Sequence, residues 1–154
     1  LILDETNKIN QLELYTMKHK VPISEIMTKD VITLSPDESL YKAEKLFAKH
    51  NIRHIPIVET QRLVGMISHT DLLRISFSSL DKTDDSIVPV IYEMFSIPEI
   101  MTRVPVFVEA TTTIKQTAEI LARQSFHSLP VLDKGKLVGI VTTTDLINYL
   151  LAQY

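Results

Sequence analysis

The sequence has 154 residues, of which 45% are hydrophobic and 23% charged, with a formal net charge of −3. This composition is typical of a folded globular protein and excludes a chain that is disordered throughout. The negative charge argues against a nucleic-acid partner, and the absence of cysteine excludes disulfides, thiolate nucleophiles and cysteine-based zinc sites. No apolar run is long enough to span a bilayer, so we expect no membrane insertion and a cytoplasmic location.

An internal repeat organises the chain. A shift of 74 residues lays positions 23–73 over positions 97–147 without a gap, and 13 of the 51 pairs are identical. The repeat predicts an N-terminal extension at 1–20, a first copy at 21–76, a linker at 77–96 and a second copy at 97–154. A unit of about 50 residues is at the limit of what buries a stable core alone, so we expect the two copies to pack face to face.

The elements are predicted in the same order in both copies. The extension carries Ile2, Ile9, Leu12 and Tyr15 in an amphipathic pattern that predicts a helix. First strands are predicted at Val31–Leu34 and Val106–Val108. Ser39 and Thr113 stand where N-caps are expected, and apolar residues then recur at helical spacing: Leu40, Ala43, Leu46 and Phe47 in the first copy, Ile114, Ala118 and Leu121 in the second.

Each copy then predicts a hairpin and a short second helix, which makes the fold class α/β (α+β). The hairpin strands are Ile55–Val58 with Leu63–Ile67, and Leu129–Leu132 with Leu137–Val141; Gly135 can take a positive φ in the second turn. The short helices are predicted at Asp71–Ile75 and Asp145–Leu151. In the linker, residues 76–86 are polar, whereas 87–95 are apolar enough to pack on the module or at a dimer interface.

Chemistry is concentrated where the second hairpin strand meets the second helix, in GMISHTD (65–71) and GIVTTTD (139–145). A helix N-terminus offers unpaired N–H groups and a positive dipole end, which suit an anion. The hydroxyls of Ser68, Thr70, Thr142 and Thr144 add donors there. Asp71 or Asp145 can accept hydrogen bonds from both hydroxyls of a ribose. Gly65 and Gly139 allow a backbone or a ligand to approach the strand closely.

The same residues have a purely structural interpretation. A hydroxyl followed three positions later by an acid is also a capping box, which satisfies the first amides of a helix. Its recurrence at equivalent places, beside a second hydroxyl and a strand glycine, favours ligand binding. The two roles can coexist.

The duplicated unit closely resembles the cystathionine-β-synthase (CBS) domain, and the pair resembles a Bateman module. The resemblance covers about 21–149 and is carried by EIMT at 25–28 and 99–102, IRHIPIV (52–58), FHSLPVL (126–132), LVGMISHTD and LVGIVTTTD. It implies two βαββα repeats about a pseudo-twofold axis, with two clefts for adenosine-containing ligands. AMP, ADP, ATP and S-adenosylmethionine are the usual ones, with NAD or a cyclic dinucleotide in some members. It also implies a homodimer and a regulatory role in signal transduction.

Carried over residue by residue, the resemblance implies a role for each matching position. Asp71 and Asp145 would hold ribose hydroxyls, and Ser68, Thr70, Thr142 and Thr144 would contact ribose or phosphate oxygens. Adenine would lie against Thr28, Val31 and Ile52 in the cleft of Asp145, and against Thr102, Pro105 and Phe126 in the cleft of Asp71. Arg53 and His54 would contact phosphates, with His127 and Ser128 as a weaker electropositive pair, so unequal clefts are expected. A solvated Arg53 and filler histidines are the structural alternatives.

Other functions have less support. His50 and His54 are four residues apart, but the second falls beyond the predicted helix, so no metal site is expected. No nucleophile motif accompanies the recurring carboxylates, so no catalytic activity and no required cofactor are expected. The main hypothesis is a sensor that binds an adenosine-type ligand and signals to an unidentified protein target. The alternatives are a structural dimerisation or docking module with empty clefts, and a nucleotide hydrolase or transferase.

Overall fold

The computed structural model describes residues 20–77 and 87–154. They form a mixed α+β fold, as predicted. The helices are α1 (Leu40–His50), α2 (His69–Phe77), α3 (Ile87–Met94), α4 (Ile97–Ile100), α5 (Ile114–Ala122) and α6 (Thr143–Leu151). The strands are β1 (His54–Glu59), β2 (Arg62–Ser68), β3 (Thr102–Arg103), β4 (Val108–Glu109), β5 (Ser128–Asp133) and β6 (Lys136–Thr142). The predicted N-terminal helix and most of the polar half of the linker lie outside the described residues.

The described residues form two compact units that cut across the sequence repeat. Unit 1 contains 20–29, 107–133 and 138–154, and unit 2 contains 30–77, 87–106 and 134–137. Each unit therefore combines the body of one copy with the EIMT segment of the other. The division of the chain by sequence repeats and its pseudo-twofold axis stay predictions.

The first helix of each copy begins at the predicted cap. The Ser39 hydroxyl accepts a hydrogen bond from the Lys42 amide at 3.2 Å, and Thr113 forms a capping box with Gln116. In α1 the buried residues are Leu40, Ala43 and Phe47, as the spacing predicts. In α5 the buried small residue is Thr117 rather than the predicted Ala118. Its hydroxyl donates to the Thr113 carbonyl at 3.0 Å, which removes the cost of burying it.

Both hairpins form at the predicted places. The strands lie in the order β1-β2-β3 in one sheet and β4-β5-β6 in the other. The first hairpin turns at Thr60 and Gln61, with φ of 49° and 67°, and the second at Lys134 and Gly135, with φ of 50° and 78°. Two successive positive φ values match the twist of a two-residue hairpin, and only the second turn uses a glycine for them.

The first predicted strand of each copy is shorter than expected. Val31–Leu34 is not a strand: a single parallel bridge joins Leu34 to Ile57, and the second copy has only β4 instead of Val106–Val108. The Leu34 amide donates to the Pro56 carbonyl, and the Leu34 carbonyl accepts from the Val58 amide. The chain then turns as the Ser35 amide donates to the Glu38 carboxylate. Pro56 has no amide hydrogen and cannot donate the next hydrogen bond of a parallel ladder. The β-branched residues before Leu34 therefore do not extend the strand pairing.

Each unit has its own hydrophobic core. In unit 2 the buried cluster is Leu34, Leu40, Ala43, Phe47, Ile55, Ile57, Ile67, Leu72, Tyr92 and Ile97; in unit 1 it is Ile23, Val108, Leu121, Leu129, Val131 and Val141. Tyr92 shows that α3, in the apolar half of the linker, packs on the module. The Tyr92 hydroxyl lies 3.3 Å from Glu44 and 3.5 Å from Ser76. Burial, and the nearby Glu44 carboxylate, raise the pKa of Tyr92.

Candidate functional site

The helices α2 and α6 begin with the same reciprocal hydrogen bonds. At α2, Asp71 Oδ2 accepts from the Ser68 amide at 2.8 Å and its hydroxyl at 2.7 Å, and the Asp71 amide donates back at 3.2 Å. At α6, Asp145 Oδ2 accepts from the Thr142 amide at 2.7 Å and its hydroxyl at 2.8 Å, with a return bond of 3.3 Å. The predicted capping boxes are therefore present in both copies. Each one uses a single oxygen of the carboxylate.

The residue before each hairpin also reaches the helix N-terminus. The Arg53 carbonyl accepts from the His69 amide at 2.9 Å, and the His127 carbonyl accepts from the Thr143 amide at 3.0 Å. In unit 2, His54 stands directly opposite Ser68 in the β1-β2 ladder. The structure thus brings the cationic positions predicted from the sequence to the same helix ends as the carboxylates. Thr70 and Thr144, the second residues of α2 and α6, are exposed there.

The EIMT segments dock against the strand glycines. Thr28 exchanges backbone hydrogen bonds with Ile140 at 2.9 and 3.0 Å, and Thr102 pairs with Met66. A Cβ added to Gly139 would lie 2.3 Å from Met27 Sδ, and one added to Gly65 would lie 2.3 Å from Met101 Sδ. The close approach predicted at the glycines is therefore made by a methionine side chain and by the backbone carbonyl of the threonine that follows it. Thr28 therefore lies opposite Ile140, two residues before Thr142 on β6. Thr102 lies opposite Met66, two residues before Ser68 on β2.

The two helix ends differ in charge. Arg53 is exposed and forms no ion pair with a carboxylate in 20–77 or 87–154. Arg74, which the sequence analysis missed, lies 3.7 Å from Asp71 Oδ1. Its position three residues after Asp71 on a helix is the signal that would have found it. At α6 the equivalent residues are His127, Ser128 and Asn148.

The structure buries Ser128, which the sequence predicts only as part of a weaker electropositive pair with His127. It is 6% exposed, and within the described parts of the chain its hydroxyl has no hydrogen-bond partner. It is the equivalent of His54 and begins β5, directly after His127. Nothing in the local sequence distinguishes a buried serine here from an exposed one.

The residues predicted to contact adenine fall in both units. Ile52 and Phe126 are half-buried and pack against the cores of unit 2 and unit 1 respectively. Val31 is half-buried and Pro105 is buried. Pairing Ile52 with Asp145 and Phe126 with Asp71 would join residues of different units. The roles of these four residues as adenine contacts stay predictions.

Other features of the surface lie away from these helix ends. A cavity of about 500 Å³ on the outer side of α5 is lined by Thr112, Gln116, Glu119, Ile120, Arg123 and Gln124, none of which is a predicted site residue. No three His, Asp or Glu side chains of the described chain come together as metal ligands. None of the helices within residues 20–77 and 87–154 combines the length and hydropathy needed to cross a bilayer.

A known protein family matches each copy of the repeat. The family model of the CBS domain matches residues 23–78 and again 97–152. Inosine-5′-monophosphate dehydrogenase of Korarchaeum cryptofilum is 30% identical over 118 residues, which are 76% of this chain and 22% of that enzyme. The chloroplastic CBS domain-containing protein CBSX1 of Arabidopsis thaliana is 30% identical over 147 residues, covering 82% of this chain and 62% of that protein. This chain thus spans only part of both relatives.

A solved structure of similar extent matches the fold. The CBS domain pair of protein MJ0100, in complex with 5′-methylthioadenosine and S-adenosyl-L-methionine, aligns with a TM-score of 0.71 at 27% identity. The alignment covers 87% of this chain and 98% of that one.

Proposed function

The chain belongs to the CBS-domain family, and from that premise we propose that it is a regulatory module that binds adenosine-containing ligands at the N-termini of α2 and α6. The observation that carries the proposal is the duplicated carboxylate at these helix ends. Each carboxylate caps its helix through Oδ2, and Oδ1 of Asp145 has no hydrogen-bond partner in the described residues. The cap orients the carboxylate and leaves an oxygen to accept from a ribose hydroxyl.

The surroundings of the carboxylates suit the rest of such a ligand. Thr70 and Thr144 are exposed at the second position of each helix, where the amides lack carbonyl partners. The positive end of the helix dipole favours a phosphate at the same place. Arg53 and Arg74 add two positive charges at α2, so we assign the ligand with the longer phosphate chain to that end.

Relatives support the ligand class. The CBS domain pair of MJ0100 holds 5′-methylthioadenosine and S-adenosyl-L-methionine, both of which contain adenosine. A ligand that binds one conformation more tightly than another shifts the population towards it, and a protein target that contacts this module would respond to the shift. Such a target, like the occupancy of both helix ends, is part of the proposal.

A thermal-shift series tests the ligand class. The purified protein is titrated with AMP, ADP, ATP, S-adenosylmethionine, NAD and cyclic di-AMP. A true ligand at one hundred times its Kd stabilises the native state by about 2.7 kcal/mol, and the rise in Tm grows with concentration. The Asp71→Ala, Asp145→Ala double variant should lose the rise, measured from its own ligand-free Tm.

A matched control separates capping from binding. Gln116→Ala breaks the capping box of α5, which has no predicted ligand residue, and should keep the full ligand-induced rise. If no ligand changes the Tm of the folded wild type, the proposal is wrong and a docking module takes its place. Conversion of the ligand during incubation would instead indicate a hydrolase or transferase.

Arg53 tests the assignment of the phosphate chain. Arg53→Ala should weaken ATP binding by about tenfold, since a hydrogen bond from a charged donor contributes about 1.5 kcal/mol or more. Adenosine binding should change little. Equal losses for ATP and adenosine would mean that Arg53 does not contact phosphate.

The outer face of α6 favours a second candidate function, self-association. Ile147, Leu150 and Leu151 are more than half exposed, and the exposed residues of α6 carry no charge. A neutral apolar face suits a second copy of itself, because no like charges meet across the interface. The sedimentation mass should be that of a dimer, and Leu150→Asp with Leu151→Asp should give a monomer. Val104→Asp, at an exposed apolar residue outside α6, is the control. A dimer that survives the double change would rule out this face.

A further inference from the structure

The hydroxyl of Ser128 is buried beside the N-terminus of α6 without a hydrogen-bond partner. The residue is 6% exposed, and its Oγ is the sole buried side-chain polar atom of the described chain that lacks a partner. A buried hydroxyl normally forms a hydrogen bond, because leaving it unpaired costs its full desolvation. By contrast, the buried hydroxyl of Thr117 in the same unit is bonded to the Thr113 carbonyl.

The strand register places this hydroxyl on the side of the sheet that carries the α6 cap. Leu129 and Val131 belong to the core of unit 1, so Ser128 points to the opposite face of β5. In the other copy, His54 stands directly opposite the capping residue Ser68. The repeat makes Ser128 and Thr142 the equivalent pair on the neighbouring strands β5 and β6. Directly opposed residues project from the same face, so the hydroxyl is directed towards the cap of Thr142 and Asp145.

The positions equivalent to the cations of the α2 end carry little positive charge at α6. His127 precedes Ser128, and Asn148 occupies the place of Arg74. The carboxylate of Asp145 is within the same cap and adds a negative charge. A phosphate would therefore meet the carboxylate without the two arginines of the α2 end, whereas an uncharged polar group could bond to the serine without charge repulsion.

We infer that the α6 end selects an adenosine derivative whose 5′ substituent carries no phosphate, and that Ser128 is the residue that determines this specificity. The inference rests on the proposed function, and it divides the two ends by ligand chemistry. Phosphorylated nucleosides bind at α2, and unphosphorylated ones bind at α6. This ligand forms the hydrogen bond that the buried Ser128 hydroxyl otherwise lacks.

The test isolates the α6 end. The Asp71→Ala protein (the background) is compared with the Asp71→Ala, Ser128→Ala double variant. Each protein is titrated with 5′-methylthioadenosine and with AMP by calorimetry. The background protein should bind 5′-methylthioadenosine more tightly than AMP. Ser128→Ala should weaken 5′-methylthioadenosine by about three- to tenfold, the effect of losing one hydrogen bond, and leave AMP unchanged. Without ligand, Ser128→Ala should have an equal or higher Tm, because it removes an unpaired buried hydroxyl.

A control and the opposing outcomes complete the design. Thr117→Val deletes a buried hydroxyl that is already paired, so it should lower the ligand-free Tm and leave both affinities unchanged. If Ser128→Ala binds 5′-methylthioadenosine as the background does, or if the background prefers AMP, the inference is wrong while the proposed function stands. If neither the background nor the wild type binds any adenosine derivative, the proposed function fails and the inference fails with it.

Discussion

At the α2 end Arg74 lies 3.7 Å from the capping carboxylate of Asp71, and Arg53 and His54 stand at the start of β1; the equivalent positions at α6 are Asn148, His127 and Ser128. The hydrogen bonds of the two caps agree within about 0.1 Å. The backbone bond from the preceding hairpin is likewise present at both. The two copies thus share the scaffold of the site and differ in its charge.

The largest effect should come from the part that the two ends share. Gly65→Ala and Gly139→Ala would each place a methyl group against a methionine Sδ and about 3.1 Å from a threonine carbonyl oxygen. Overpacking of this kind costs about 1–3 kcal/mol, and the matched distances predict similar losses in the two variants. Chemical denaturation measures both. Losses that differ by more than about 1.5 kcal/mol would show that the two contacts are not equivalent.

Adding positive charge to the α6 end should shift its ligand preference towards phosphorylated nucleosides. His127→Arg with Asn148→Arg makes the α6 end resemble α2, and we expect ATP binding there to tighten by about tenfold, or about 1.4 kcal/mol. The measurement is calorimetry in an Asp71→Ala background. His127→Gln with Asn148→Gln is the uncharged control. Equal affinities in the two double variants would contradict a role for positive charge.

The caps themselves should contribute equally to stability. Asp71→Ala and Asp145→Ala each remove the acceptor of two hydrogen bonds and should each cost about 1 kcal/mol in the free energy of unfolding. Arg74 should add almost nothing to this at α2, because it is largely exposed and 3.7 Å from the carboxylate. Arg74→Ala in urea denaturation provides the control. A much larger loss for Asp71 would mean that its charge environment also stabilises the fold.

The smallest effect should come from the hairpin turns. Gln61 holds a φ of 67° without being glycine, whereas its counterpart Gly135 holds 78°. Gln61→Gly should therefore stabilise unit 2 by about 0.5–1 kcal/mol, seen as a higher Tm. Gly135→Gln should cost a similar amount. A Gln61→Gly variant with a lower Tm would show that the Gln61 side chain stabilises the turn.

Local features of both copies could be predicted from the sequence, and long-range ones could not. The caps at Ser39 and Thr113 and the glycine turn depend on neighbouring residues, so the pattern alone predicts them. Val31–Leu34 has strand propensity, but a strand also needs a partner with free hydrogen-bonding groups, and Pro56 denies it one. The same limit applies to the site. The Asp71 and Asp145 boxes are local, whereas the burial of Ser128 depends on how the sheet packs.

The exchange of EIMT segments makes each copy of the repeat an incomplete folding unit. The methionine that covers Gly139 lies some 110 residues earlier in the sequence, and the one that covers Gly65 belongs to the second copy of the repeat. A polypeptide cut between α2 and α3 should therefore give fragments that complement each other and are poorly stable apart. A single copy of the repeat would have to obtain the segment that covers its strand glycine from a second molecule. One polypeptide that carries both copies therefore supplies contacts that separate copies could form only as an associated pair.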